Sequence, residues 1–343
     1  MTRTRNKRTF WSKSAVLPLA FLFVGGAWFA NALAQRTPVT VRWGGVPAIE
    51  NMTFSFIAID RGFFEEEGVK VVGPTLGGGN TIRDAMAAGD IEFFDAGTLT
   101  YLVGREKGLR QKIIFENFSN EIFSLFVRTQ LKGEVQRVRD LKGRKVAVVG
   151  PGSASWAAGL AFLKKDGLTQ KDVQFLFLAT DPTTWMVGFE RGQIDAGVIW
   201  EPMVTSALER GIAYPLVDIS DPAVHKEQIG PRASSMVMIT TEKMIAENPE
   251  AVRRVVSALK KAVNFVQTRS AKEVAQVIAP RFRMDPLLLE RVLDKRKTHF
   301  SKTGSVSRSG LAVEVDLAYN AGVLQRRLTF EEMVDARFAG VEP

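Results

Sequence analysis

The chain has 343 residues, with 24% charged and 45% hydrophobic side chains, a mixture that suits about two globular domains and excludes a disordered or fibrous chain. Its net charge is +9, it holds two histidines and it has no cysteine. Disulfides, thiol nucleophiles and thiolate-bound metals are therefore excluded, and His225 and His299 lie too far apart for a zinc-binding spacing.

The first 34 residues read as a secretory signal peptide. Arg3, Arg5, Lys7, Arg8 and Lys13 form a basic start, an apolar run follows from Ala15 to Ala30, and Ala32-Leu33-Ala34 offers a small-x-small cleavage site before Gln35. The apolar run is short for a membrane span and contains Pro18, Gly25 and Gly26. Removing five basic and no acidic residues leaves a charge of +4, which weakens a nucleic-acid reading.

From Val39 onward, short apolar runs alternate with helical ones. Val39–Trp43, Val69–Val72 and Ile91–Asp95 read as strands; Thr53–Glu67, Asn80–Ala88 and Thr98–Lys107 read as helices, with Gly68 as a stop and Asn80 as a cap. This rhythm predicts a largely parallel sheet covered by helices. A second cycle starts near Asp140, with strands at Lys145–Val149, Val173–Leu178 and Ile194–Ile199 and helices at Trp156–Lys165, Thr183–Arg191 and Glu201–Arg210. The apolar segments Phe123–Arg128 and Ser235–Thr240 read as two crossings between lobes. Helices at Pro249–Thr268, Ala271–Ile278, Pro286–Arg296 and Gly310–Ala321 are expected to pack back on the first lobe. The expected division is a leader over 1–34, a first lobe of 35–127 plus 236–343, and a second lobe of 128–235.

Several stretches carry a family resemblance. Ala58-Ile59-Asp60-Arg61-Gly62-Phe63-Phe64-Glu65-Glu66-Glu67-Gly68-Val69 and Ala85-Met86-Ala87-Ala88-Gly89-Asp90-Ile91 come first. Asp140-Leu141-Lys142-Gly143-Arg144-Lys145-Val146-Ala147, Phe189-Glu190-Arg191-Gly192-Gln193-Ile194-Asp195-Ala196 and Trp200-Glu201-Pro202 follow in order. Together, over roughly residues 39–266, they resemble the periplasmic binding proteins of ABC importers for sulfonates, nitrate, taurine and the pyrimidine precursor of thiamine. The resemblance implies an α/β chain with the type II periplasmic-binding-protein fold, in which two α/β lobes are joined by two crossover segments. Asp95-Ala96-Gly97-Thr98 departs from the family, which often has a hydrophobic residue where Asp95 stands. An added carboxylate near the cleft argues against a simple inorganic anion.

In open α/β sheets, ligands meet the loops beyond the carboxyl ends of the strands. That rule selects Pro47, Glu50 and Asn51 after the first strand, Gly78 and Asn80 in the glycine-rich loop 77–81, and Asp95, Gly97 and Thr98. From the second lobe it selects Ser153, Ser155, Trp156, Asp181, Trp185, Trp200 and Glu201. The loop 152–156 reads as an anion site built on helix N–H groups and serine hydroxyls, or as plain helix capping; the two roles are compatible. Gly77-Gly78-Gly79 permits close backbone approach or serves as a flexible turn, and it lacks the lysine ending of a phosphate loop. Each tryptophan reads either as core or as a stacking face for a ligand. Glu201 and Asp95 are candidates to neutralise a ligand amine, Glu201 alternatively to complement a helix start.

The expected function is a periplasmic substrate-binding component that captures a small organic anion, such as a sulfonate, a taurine-like molecule or an aromatic acid, by lobe closure. It would deliver this small molecule to an ABC permease in the inner membrane, as a monomer without metal or cofactor and without nucleic acid. Alternatives are a thiamine pyrimidine precursor or nitrate as ligand, or a ligand-sensing receptor. An enzyme is disfavoured, because a desulfinase-like relative needs a cysteine and His225 stands in no recognisable catalytic setting.

Overall fold

The computed structural model describes residues 1–2, 37–73 and 78–343. The leader and Gly77 fall outside the described residues. The chain from Val39 builds two five-stranded sheets. The first half runs β1 (Val39–Gly45), α1 (Ile49–Asp60), α2 (Phe63–Glu66), β2 (Val69–Val72), α3 (Gly79–Ala88), β3 (Phe93–Gly97), α4 (Thr98–Glu106) and β4 (Gln111–Phe118). Next come β5 (Ser124–Arg128), β6 (Lys145–Val148), α5 (Ala154–Lys165), β7 (Gln174–Phe177), α6 (Pro182–Glu190), β8 (Ala196–Ile199), α7 (Met203–Glu209), β9 (Ala213–Val217) and α8 (Pro222–Gln228). The chain returns through β10 (Met236–Thr241), α9 (Glu242–Glu247), α10 (Pro249–Thr268), α11 (Ala271–Phe282), α12 (Pro286–Arg296) and α13 (Arg308–Asn320).

The sheets are ordered β2-β1-β3-β10-β4 and β7-β6-β8-β5-β9. In each, the first three strands are parallel and the fourth runs antiparallel to both neighbours. The expected largely parallel sheets are thus mixed. The reversed strand is the one that has just arrived from the other lobe. The segments read as crossings are these central strands: Ser124–Arg128 lies between β8 and β9, and Met236–Thr241 between β3 and β4. Residues 124–127, assigned above to the first lobe, pair within the second sheet. An apolar run buried on both faces has the same pattern as a buried link, so periodicity does not separate the two.

Local physics explains most boundaries. The single helix read over Thr53–Glu67 is two, broken where Gly62 takes a left-handed conformation (φ 72°) that costs other residues energy. Asn248 caps α10 by accepting from the Ala251 N–H at 3.2 Å, and Pro249 opens the helix where no donor is needed. Val252, Val255, Val256, Leu259, Val263 and Val266 then form one apolar stripe, which packs on α1 and α2.

The crossings are residues 119–123 and 229–235, and they are laced together. The Ala233 N–H donates to the Ser119 carbonyl (3.2 Å) and the Ser235 hydroxyl to the Asn120 carbonyl. His225, at the end of the second lobe, grips both: the Glu121 N–H donates to its Nε2 (3.0 Å), and its Nδ1 pairs with the Gly230 carbonyl (2.8 Å). This arrangement requires a neutral ring with its proton on Nδ1. Burial, reinforced by the Arg296 charge, pulls the His225 pKa below its ordinary value of 6.5 even though the Gly230 bond opposes the shift. A lowered histidine pKa means the unfolded chain takes the proton first, so this contribution is complete above about pH 6.5 and fades as pH falls. His225→Ala is expected to cost about 2 kcal/mol at pH 7.5, because an N–H and a carbonyl lose their partner. In urea titrations at pH 7.5, 6 and 5, the gap between wild type and variant narrows with acid; a gap independent of pH contradicts the neutral-ring clip.

Candidate functional site

The cleft between the sheets encloses about 410 Å³ of empty space, counting the part open to solvent. From the first lobe, Val46, Ala48 and Asn51 line it after β1, Gly78 and Gly79 at the start of α3, and Gly97 and Thr100 where β3 meets α4. From the second lobe come Val149, Ser153, Ala154 and Ser155 around the start of α5, then Thr180 and Trp200. Ile122 and Phe123 enter from the first crossing and Met236 from the start of β10. None of these side chains carries a charge or titrates near neutral pH.

The start of α5 supplies the polar wall. Ser153, in extended conformation, caps the helix by accepting from the Trp156 N–H at 3.2 Å. The Val149 N–H donates to the Ser155 hydroxyl (3.0 Å), and the Ser155 and Ser153 hydroxyls lie 3.3 Å apart, a pair in which either can donate. First-turn N–H groups have no partner inside a helix, and the helix dipole adds partial positive charge. The turn at Ala154 and Ser155 is thereby suited to an acceptor or an anion. Trp200 forms a second wall, set edge-on to Phe123 at 5.6 Å and to Trp185 at 5.8 Å.

Of the residues selected from the sequence, Asn51, Gly78, Gly97, Ser153, Ser155 and Trp200 line the cavity. The others lie elsewhere. Pro47 is exposed on the turn after β1. Glu50 is buried against Arg296 (3.3 Å), and desolvation pushes its pKa up to about 7. Asn80 does not cap α3; its Oδ1 accepts from Arg83, which also donates across the cleft to the Gly152 carbonyl at 2.7 Å. Thr98 bonds the second crossing, its N–H donating to the Ser235 carbonyl (2.7 Å) and its hydroxyl to the Ser234 carbonyl. Trp156 faces a separate groove beside Leu160 and Ala321. Asp181 is an exposed cap of α6, accepting from the Thr184 N–H at 2.9 Å. Trp185 is fully buried and donates to the Ala179 carbonyl (2.7 Å). Glu201 accepts from the N–H and hydroxyl of Thr205, at 3.1 and 3.0 Å. Of these, Asp181 and Glu201 accept from backbone N–H groups in the first turns of α6 and α7, a role that their position alone also predicts. Thr100, Ile122, Phe123, Val149 and Met236 were not selected, because they look like ordinary strand or helix residues; Arg83 gave no sequence signal at all.

Asp95 lies under the wall rather than in it. Its carboxylate is fully buried and accepts from Trp43 Nε1 (2.9 Å), the Ser55 hydroxyl (2.6 Å) and Asn117 Nδ2 (2.8 Å). Desolvation outweighs these three donors and lifts its pKa to about 7. Its backbone carbonyl accepts from Asn51 Nδ2 (2.8 Å) and the Val46 N–H (3.3 Å). Asp95 therefore positions the cavity wall, and its charge gives no argument against an inorganic anion.

The sequence profile of the family described as NMT1/THI5 like matches residues 49–271. A protein of Brucella abortus, named as a binding protein, is 26% identical over 83% of this chain and 81% of its own length. A Bacillus subtilis protein named for binding aliphatic sulfonates is 24% identical, with 82% of each chain covered. The solved alkanesulfonate-binding protein SsuA from Xanthomonas axonopodis pv. citri, bound to MOPS, superposes with a TM-score of 0.68 at 20% identity, over 88% of this chain and 99% of that one. The fold is the type II periplasmic-binding-protein fold.

The lobes touch where their backbones approach. A Cβ on Gly97 would meet the Ala154 Cβ at 2.9 Å, and one on Gly78 would meet Val149 at 3.2 Å. Gly97→Val is expected to prop the cleft open at a stability cost of about 1–3 kcal/mol. Small-angle scattering then gives a larger radius of gyration than wild type; identical curves contradict the close approach as a condition of closure. Asp95→Ala, which strands three buried donors, is expected to lose at least about 3 kcal/mol in urea unfolding.

Proposed function

Because this chain belongs to the NMT1/THI5-like family, we propose that it is an exported solute-binding protein that captures a small organic acid between its lobes and delivers it, unaltered, to an ABC permease in the inner membrane. The observation that carries this reading is the cavity wall: the first turn of α5 on one side, Trp200 on another, and no titrating side chain among the lining residues. A wall without a general acid or base supports binding rather than proton-transfer chemistry. The apolar lining with a few convergent polar groups suits a small organic ligand.

The negative end of the ligand is placed at Ala154 and Ser155 and its apolar body against Trp200, Phe123 and Ile122. Relatives named for sulfonate binding support a sulfonate as that negative end. A ligand that touches both walls favours the closed state, because the open state makes only part of the contacts. Residues 1–34 are read as a leader cut after Ala34, which supports a periplasmic location for the mature chain, taken to act as a monomer. The first lobe is assigned to residues 39–118 and 236–343 and the second to 124–228, with the crossings as hinges.

The test starts with mass spectrometry of ligand released from the purified mature protein. Calorimetric titration follows with linear alkanesulfonates, benzenesulfonate, taurine, benzoate, the hydroxymethyl pyrimidine and nitrate. Ser155→Ala is expected to weaken binding of the preferred acid about tenfold or more, the effect of one hydrogen bond to a charged group. Trp200→Phe weakens it less and keeps the aromatic packing. Wild-type affinity in both variants, or a bound molecule returned chemically changed, overturns the proposal.

A further inference from the structure

Asn51 carries an inference about which acids the cleft accepts, one that rests on the binding role proposed above. Its side-chain amide cannot be turned round: both Nδ2 hydrogens are used, on the Val46 carbonyl (3.1 Å) and the Asp95 carbonyl (2.8 Å). The Asn51 backbone carbonyl accepts from Asn117 Nδ2 at 3.0 Å, which holds the residue from its other side. Asn51 is 1% exposed and lines the cavity, yet its Oδ1 accepts no hydrogen bond from the protein. A buried carbonyl oxygen so fixed is a preorganised acceptor whose burial is costly unless a donor reaches it.

The two carboxylates first considered for an ammonium are both engaged elsewhere. Glu201 is occupied by Thr205 and Asp95 by three donors, and neither lines the cavity. A cationic donor would meet a dipole but no countercharge, and it would lose its hydration. We infer that the cleft selects organic acids that also bear a neutral N–H or O–H donor, with the acid at Ala154 and Ser155 on one lobe and the donor on Asn51 Oδ1 of the other. A ligand of this kind joins both lobes through its two ends, so the same hydrogen bond that sets selectivity also favours closure. An acid lacking the donor leaves Oδ1 buried and unpaired on closing, which is the strong form of discrimination.

The test uses matched probes on the mature protein: propanesulfonate, 3-hydroxypropanesulfonate and 3-aminopropanesulfonate, with benzoate, 4-hydroxybenzoate and 4-(aminomethyl)benzoate beside them. In at least one series the hydroxyl acid binds about tenfold or more tighter than its parent, and the ammonium acid binds no better than the parent. In Asn51→Ala the ratio of hydroxyl-acid to parent affinity falls to about one, whatever the change in absolute affinity. If Asn51→Ala does not fold, the wild-type ranking alone decides. Equal affinity for parent and hydroxyl acid, or a preference for the ammonium acid, overturns the donor requirement and leaves the binding function standing. Failure to bind any acid of either series overturns both.

Discussion

The geometry of the cleft hangs on a buried carboxylate that does not itself line the cavity. Asp95 lies at the carboxyl end of β3, and its side chain collects donors from β1, α1 and β4. Its own carbonyl then holds Asn51 and the turn at Val46. With all its partners present, such a network is stiff; with one missing, it leaves a polar group stranded in a medium of low dielectric. The first-lobe wall therefore inherits its shape from a group behind it. Among the described residues, that network leaves Asn51 Oδ1 and Asn117 Oδ1 without a protein donor, and Asn51 is the one of the two that lines the cavity.

The second lobe presents its wall through a different device. The start of α5 offers N–H groups by geometry alone, and of the two serines lining the cavity there Ser153 also caps the helix. An anion held this way needs no lysine or arginine, and none lines the cleft. The lobes also meet directly, with α13 packed on α5 and Lys164 donating to the Asn320 carbonyl. Arg83 reaches the Gly152 carbonyl, and Arg291 pairs with Glu209 at 3.0 Å on the surface. An exposed ion pair of that kind contributes at most about 1 kcal/mol. The laced crossings at Ser119, Glu121 and Ala233 tie the two connections between the lobes to each other and to His225.

Much of the architecture could be read from the amino-acid order. The helices Pro249–Thr268 and Pro286–Arg296 appear at their expected bounds, because proline starts and apolar spacing are strong local signals. The strand Val69–Val72 does likewise. Strands β4 and β9 and helix α8 carry no clear signal in the sequence, and β5 and β10 read as strand-like segments that cross between the lobes. A buried strand has no alternating pattern, so its partners can be known only from the sheet. Of the selected site residues, the ones that line the cavity, Asn51, Gly78, Gly97, Ser153, Ser155 and Trp200, are all uncharged. The charged ones, Glu50, Asp95, Asp181 and Glu201, turn to internal partners or cap helices.

Local chemistry along the chain determined two α/β units, a glycine- and serine-bearing turn before a helix in the second of them, and the absence of thiol chemistry. Those features depend on neighbours within a few residues, where propensity, capping and periodicity act. Tertiary structure alone decided which strand reverses in each sheet, how Arg83 spans the cleft, and that Asp95 is sealed beneath the wall while Asn51 keeps a bare acceptor. Each of these depends on groups tens of residues apart, such as Asn51 with Asp95 and Arg83 with Gly152. The free energy of burying a polar group is set by what those distant partners provide.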